Sequence, residues 1–233
     1  MEMLKLEKLS CYFESFDTNF NLEINKKGVV GVVGRSGSGK STLLNLIAGF
    51  IKPQSGKIIY KSTILNNLEP AQRDLSILFQ SFNNFDHLTI FENVILGIDP
   101  QMKKTFTNLK IVRDILKKLS INIDINTQVN LLSGGEQQRV SIARCLIRKK
   151  SLLLLDEPFN SLDPGLRKNL YNDVVSMTKK TPNQLTLISS HLIEELKKIT
   201  NSFIFLHKGR IVGNKVLTFS ELSKYKSFRD YLK

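Results

Sequence analysis

Nine residues, Gly34–Thr42 (GRSGSGKST), hold the densest chemistry in the chain. Gly34, Gly39, Lys40 and Ser41 fit G-x-x-x-x-G-K-[ST], the spacing of a phosphate-binding loop. Arg35, Ser36, Gly37 and Ser38 fill the variable positions, and Thr42 follows. Glycines let backbone N–H groups turn inward around phosphate oxygens, and the N-terminus of the following helix adds its positive dipole end. In this pattern the lysine reaches the β- and γ-phosphates and the serine hydroxyl binds Mg²⁺.

A second cluster is SLLLLDEP, where four leucines deliver Asp156 and Glu157. Read as a buried strand, it presents both carboxylates at its C-terminal end, where open α/β sheets bind ligands. Asp156 is suited to hold Mg²⁺ through its water shell, and Glu157 to orient and deprotonate an attacking water. A third cluster, LLSGGEQQRVSIARCL, has the S-x-x-E spacing of a capping box at Ser133 and Glu136. Gly134 and Gly135 stand in its first helical turn, where each costs roughly 1 kcal/mol of helix propensity. That cost is reasonable where a ligand must come close to the backbone. This second anion-ready helix end serves either a different ligand or the same phosphate from a second subunit.

The elements that position these groups alternate strand and helix. Strands are expected at Val29–Val33, Ser76–Phe79, Leu152–Leu155, Thr186–Ser189 and Ser202–Leu206, each short and apolar as buried parallel strands are. Helices are expected at Lys40–Ala48, Asn108–Ser120, Glu136–Arg148, Leu166–Thr178 and Leu192–Lys198. Gly49 and Pro53 stop the first of them. The alternation implies an α/β fold with a mostly parallel sheet. Residues 82–150 are poor in strand signals and read as a largely helical insertion.

Composition narrows the class. The chain has 233 residues, 41% of them hydrophobic, enough for one substantial core or two lobes. Its apolar runs are strand-sized, and the start, MEMLKLEKLS, lacks the pattern of a signal peptide, so a cytoplasmic protein is expected. Cys11 and Cys145 lack metal-type spacing and read as reduced, buried thiols. The net charge of +13 favours an anionic partner, but the lysines are scattered in pairs, which fits a solvated basic surface.

GRSGSGKST, LSGGEQQRV, LLLLDEP, SLD and SSH stand in the order and spacing of the ATP-binding cassette (ABC) ATPases, and nearly the whole chain resembles that family. The resemblance implies a P-loop NTPase (RecA-like) core with an N-terminal antiparallel β portion and an inserted helical subdomain. Within a single 1–233 domain, residues 1–81 and 151–215 would form the core, 82–150 the helical subdomain and 216–233 a short tail. It also implies ATP and Mg²⁺ as cofactors, and head-to-tail pairing of two cassettes. Each ATP would then lie between one P-loop and the partner's LSGGE helix.

Residue by residue, the resemblance makes Gln80 the glutamine that senses Mg²⁺ and the transporter. Asp163 becomes the residue that crosses the dimer interface, and His191 the switch contact to the γ-phosphate. Phe13 best fits the position that stacks on adenine, with Tyr12 as its neighbour in contention. One departure is Leu192, where most importer cassettes carry Asp after the histidine.

STLLNLIAGF, ILFQSFNNFDHLTIFENVILGIDP and ARCLIRKKSLLLLDEPFNSLDP are most similar to the ATPase subunits of bacterial thiamine importers. The expected partners are a second copy, transmembrane permease subunits and a periplasmic or extracellular substrate-binding protein, with no nucleic acid. The expected place is the cytoplasmic face of the inner membrane. SFNNFDHLTIFENV, with Phe82, Phe85 and Leu88, is the expected groove for a permease helix. The competing readings are a soluble ABC ATPase acting on nucleic acid or a protein complex, supported only by the charge, and an ABC subunit of a different importer or exporter.

Overall fold

The computed structural model describes residues 3–13, 16–81, 83–159, 164–181 and 183–232. The chain opens with strands β1 (Leu4–Phe13), β2 (Phe16–Ile24) and β3 (Gly28–Val33), then helix α1 (Lys40–Ala48). Strands β4 (Ser55–Tyr60), β5 (Thr63–Ile64) and β6 (Leu75–Leu78) follow, and then α2 (Ile90–Ile95), α3 (Phe106–Lys118) and α4 (Gly134–Leu146). After β7 (Leu152–Leu155) come α5 (Pro164–Lys180), β8 (Leu185–Ser190), α6 (Ile193–Leu196), β9 (Phe203–His207) and β10 (Arg210–Ile211). Helices α7 (Phe219–Leu222) and α8 (Lys226–Tyr231) end the described chain. Two compact units result. The first joins Met1–Leu75, Ser151–Asp156 and Asn183–Lys233, and the second joins Ser76–Lys150 and Glu157–Pro182.

In the first unit the strands are ordered β5-β4-β1-β2-β10-β9-β3-β8-β7. The β4, β1 and β2 pairings are antiparallel, whereas β9, β3, β8 and β7 run parallel. The parallel strands are covered on both faces: β7 and β8 are buried along their whole length, including Thr186, Ser189 and Ser190 of β8. The antiparallel strand β1 alternates instead, with one break. Its register shifts between Leu6 and Leu9, and Lys8 takes φ 45°. This bulge keeps Leu4, Leu6, Leu9 and Cys11 all facing the core. Opposite it in β4, a Cβ on Gly56 would lie 2.4 Å from the carbonyls of Glu7 and Lys8, so only glycine fits.

Helix α1 begins where the loop chemistry requires and stops at Gly49, which is left-handed (φ 90°) and caps Asn45 and Leu46. The buried Arg73 guanidinium also donates to the carbonyls of Leu46 and Ile47 (3.0 and 2.7 Å), a cation at the negative helix end.

The second unit is helical, and among its described residues after β6 no further strand occurs. Helices α2, α3 and α4 pack around Phe91, Val94, Ile95, Val112, Leu116, Val140 and Ile142, all nearly or fully buried. Thr89 and Glu92 cap α2 reciprocally, and Thr105 caps α3. Gly97 permits the closest approach: a Cβ there would meet Ile147 Cγ2 at 2.6 Å and the Arg144 carbonyl at 2.7 Å. The Cys145 thiol is enclosed beside Ser76 Oγ (3.2 Å), and burial pushes its pKa up to about 11.

Element boundaries differ modestly from the sequence expectations. The expected Leu192–Lys198 helix is only Ile193–Leu196, because Leu192 is extended (φ −110°, ψ 94°) and gives its N–H to Ser190 Oγ (3.0 Å). Helix α5 starts earlier than expected, with Pro164 at its first position, where a missing N–H costs nothing. No helix among the described residues is long and apolar enough to cross a membrane.

Candidate active site

Strands β3, β8 and β7 lie side by side, with Val33 opposite Ser190 and Leu155 opposite Ile188. Their C-terminal ends therefore deliver the Gly34 loop, His191 and Asp156 to one edge of the first unit's sheet. This is the ligand edge of an α/β sheet.

The loop is built around its backbone. A Cβ on Gly34 would sit 2.5 Å from both the Leu206 carbonyl and Ser38 Oγ, so the turn excludes any side chain. Gly37 (φ 73°) and Gly39 (φ 101°) are left-handed. Helix α1 has no side-chain cap, so its first N–H groups are left to a ligand. Lys40 is only 5% exposed, and its Nζ donates to the carbonyls of Gly34 (3.0 Å) and Arg35 (3.3 Å). These bonds hold the ammonium over the loop. Ser38 Oγ is buried and has no hydrogen-bond partner among the described residues. A glycine cradle, an uncapped helix start and an unpartnered buried hydroxyl fit a phosphate chain. Arg35, Ser36 and Gly37 are exposed, while Ser41 and Thr42 are half-buried at the helix start.

Asp156 is 4% exposed and accepts a hydrogen bond from Ser189 Oγ at 2.6 Å. This fixes one oxygen of the carboxylate, and Ser189 is a supporting residue that the sequence reading passed over inside SSH. A hydroxyl such as Ser41 and a carboxylate such as Asp156 suit Mg²⁺, which takes few protein ligands and fills its shell with phosphates and water. No group of three or more His, Cys, Asp or Glu side chains gathers into a metal cage among the described residues. His191 is exposed, and its carbonyl accepts from the Tyr231 hydroxyl at 2.6 Å. Tyr12 is 59% exposed on β1, and Phe13 ends that strand; its side chain lies outside the described residues.

In the second unit, Ser133 caps α4 as its spacing foretold. Its N–H and Oγ both bond Glu136 Oε2, at 2.8 and 2.7 Å, and these bonds hold the Glu136 carboxyl below its ordinary pKa. Gly134 is exposed, and a Cβ there would meet nothing within 4 Å. Gly135 is half-buried. Glu157 has φ 46°, a left-handed backbone unusual for a residue with a side chain and typical of functional positions. Gln138, fully buried on α4, donates Nε2 to the Pro158 carbonyl and so ties the signature helix to the segment just after Glu157. Sequence reasoning missed it, since a glutamine inside LSGGEQQ carries no signal for a partner twenty residues on.

Gln80 is exposed in a turn after β6. The segment beyond it is fastened to α4: Asn84 bonds the Gln137 carbonyl (2.9 Å) and Ser141 Oγ (2.7 Å), and Arg144 Nη2 bonds the Asn83 carbonyl (2.6 Å). The Arg144 guanidinium also lies 5.3 Å from the centre of the half-exposed Phe85 ring. Phe82 and Asp163 fall outside the described residues.

A glycine cradle with its lysine, and a strand-end carboxylate beside it, define a P-loop nucleoside triphosphatase. Comparison with known proteins narrows the class. The family model described as ABC transporter matches residues 18–160. The thiamine import ATP-binding protein ThiQ of Photobacterium profundum is 39% identical, with 90% of each chain covered. Those of Vibrio vulnificus and Escherichia coli K12 are 38% and 37% identical, covering 91% and 90% of this chain and 90% of their own. A nucleotide-free ATP-binding cassette from an ABC transporter, 24% identical, shares the fold with a TM-score of 0.82 over 100% of this chain and 99% of its own. A dimeric cassette in a post-hydrolysis state with ADP and Pi is 27% identical, with a TM-score of 0.76 over 90% of this chain and 96% of its own. The chain belongs to the ABC transporter family, as its ATP-binding ATPase subunit.

Proposed function

We propose that this chain works as a homodimer that hydrolyses Mg-ATP to drive a membrane permease importing thiamine, at the cytoplasmic face of the membrane. The observation that carries the ATP chemistry is the cradle itself: a closely packed Gly34, left-handed Gly37 and Gly39, an uncapped helix start and a buried Lys40 in the segment after β3. The cargo rests on the relatives, which are named thiamine import proteins.

On this reading the N–H groups from Gly34 to Thr42 hold the phosphates, and Lys40 swings from its carbonyls to the β- and γ-oxygens. Ser41, Asp156 and Gln80 hold Mg²⁺, which supplies charge neutralisation on the transferring phosphate. Glu157 takes a proton from the attacking water, and His191 contacts the γ-phosphate. Ser133, Gly134, Gly135 and Glu136 of the partner subunit close the site from the far side, and Asp163 crosses the interface. Two such sites follow from one self-complementary contact. Phe13, or Tyr12 beside it, stacks on adenine. Phe85 and the segment after Gln80 receive a permease helix, and a substrate-binding protein delivers the cargo outside.

The test is reconstitution of the chain with its permease in proteoliposomes. A thiamine-loaded binding protein should stimulate ATP hydrolysis and accumulate thiamine inside. Hydrolysis stimulated by another solute and indifferent to thiamine would overturn the cargo while leaving the ATPase reading intact.

A further inference from the structure

We propose that the last turn of α8 is a positioning device for the ATP site, holding the His191 turn through Tyr231 and the phosphate loop through Asp230. The Tyr231 hydroxyl donates to the His191 carbonyl at 2.6 Å. One residue earlier, the Asp230 carbonyl accepts from Arg35 Nη2. A single turn thus grips two loops that belong to different strands of the sheet, 40 and 195 residues away in sequence.

The grip is rigid because α8 is anchored by aromatic packing. Phe228 is fully buried, and its ring meets Phe205 edge-on at 5.1 Å and Phe219 at 5.8 Å. Tyr231 joins the same cluster, 5.6 Å from Phe205 and 5.7 Å from Phe228. Phe205 stands on β9 opposite Val33, the last residue before the loop. Aromatic pairs in these arrangements are favourable beyond their buried area. The hydroxyl is therefore held in place, and its bond to the His191 carbonyl constrains the main chain that carries the imidazole. The same turn is also held from its far side, where the Leu192 N–H donates to Ser190 Oγ at 3.0 Å. Displacement of α8 would loosen the switch histidine and the phosphate loop together.

The inference rests on the reading of His191 as the γ-phosphate contact, so the experiment includes His191→Ala as a separate arm. Full-length Tyr231→Phe keeps the ring and deletes only the donor. Steady-state ATPase kinetics, binding of a fluorescent N-methylanthraniloyl ATP analogue and thermal unfolding are measured on each protein. Tyr231→Phe should lower kcat about two- to tenfold, the scale of one hydrogen bond, with analogue affinity unchanged and the unfolding temperature lowered by no more than about 2–4 °C. Tyr231→Ala should lower both kcat and unfolding temperature. Wild-type kcat in Tyr231→Phe beside an inactive His191→Ala would reduce Tyr231 to packing and overturn the proposal. Normal turnover in His191→Ala would instead overturn the reading of the histidine, and the proposal with it.

Discussion

The chain holds two helix starts suited to an anion, and they are built in opposite ways. At α1 the first loop glycine, Gly34, is closely packed, the lysine is buried and no side chain caps the helix. At α4 the cap is complete, with Ser133 and Glu136 satisfying each other, and Gly134 faces open space. The first is a preformed socket whose open helix N–H groups face the loop. The second is a finished surface whose bare backbone is offered outward, and it gains a ligand only when something is brought to it. On the proposed reading, a phosphate held by the first would be covered by the second from another copy of the chain.

The largest effect should come from Glu157, which follows β7. Glu157→Gln keeps size and hydrogen bonding but removes the base, so turnover should fall about 10²–10⁴-fold while ATP still binds. In that background Mg-ATP should shift the chain from monomer to dimer in sizing chromatography. Adding Gly135→Trp should abolish the shift and leave monomer nucleotide affinity intact. Loss of monomer affinity instead would mean that α4 serves its own chain, and the contrast would fail.

A matched pair of glycine substitutions gives a smaller, sharper comparison. Gly34→Ala drives a methyl into the Leu206 carbonyl and Ser38 Oγ, and overpacking of this kind costs about 1–3 kcal/mol. Titration with the fluorescent nucleotide should show weaker binding to match. Gly134→Ala meets nothing and should instead stabilise the fold by about 0.5–1 kcal/mol in thermal unfolding, with unchanged monomer affinity.

The smallest effect is in pH. Hydrogen bonds from the Ser133 side chain and backbone hold the Glu136 pKa below its ordinary value. A depressed carboxylate stabilises the folded state above its unfolded pKa, and that contribution fades as pH falls through the lower folded value. Glu136→Gln should therefore unfold with a slightly flatter pH dependence than wild type below about pH 4.5, measured by thermal melts. Identical slopes would mean that the cap does not act through charge.

What the sequence disclosed was local. The phosphate loop, the capping box at Ser133 and the strand carrying Asp156 are each written within about ten residues, and the structure forms all three. The first strand was illegible for a physical reason: the bulge at Lys8 breaks the two-residue alternation, so Leu6 and Leu9 both face inward three positions apart. The supports of the site were equally hidden. Ser189 on Asp156, Gln138 on Pro158 and Tyr231 on His191 are contacts between distant segments, and each donor is of an ordinary residue type.

The enclosure of Cys145 inside the second unit bears on oxidative stress. With its pKa pushed up to about 11, only on the order of 10⁻⁴ of the thiol is ionised at neutral pH, against a few per cent for an ordinary cysteine. Since the thiolate is the species that peroxides and alkylating agents attack, this cysteine on the LSGGE helix is chemically quiet. Cys11 is buried as well, and its thiol is likewise shifted upward. A cysteine engineered at the surface, with an ordinary thiol pKa, would therefore be the first to react with an alkylating agent.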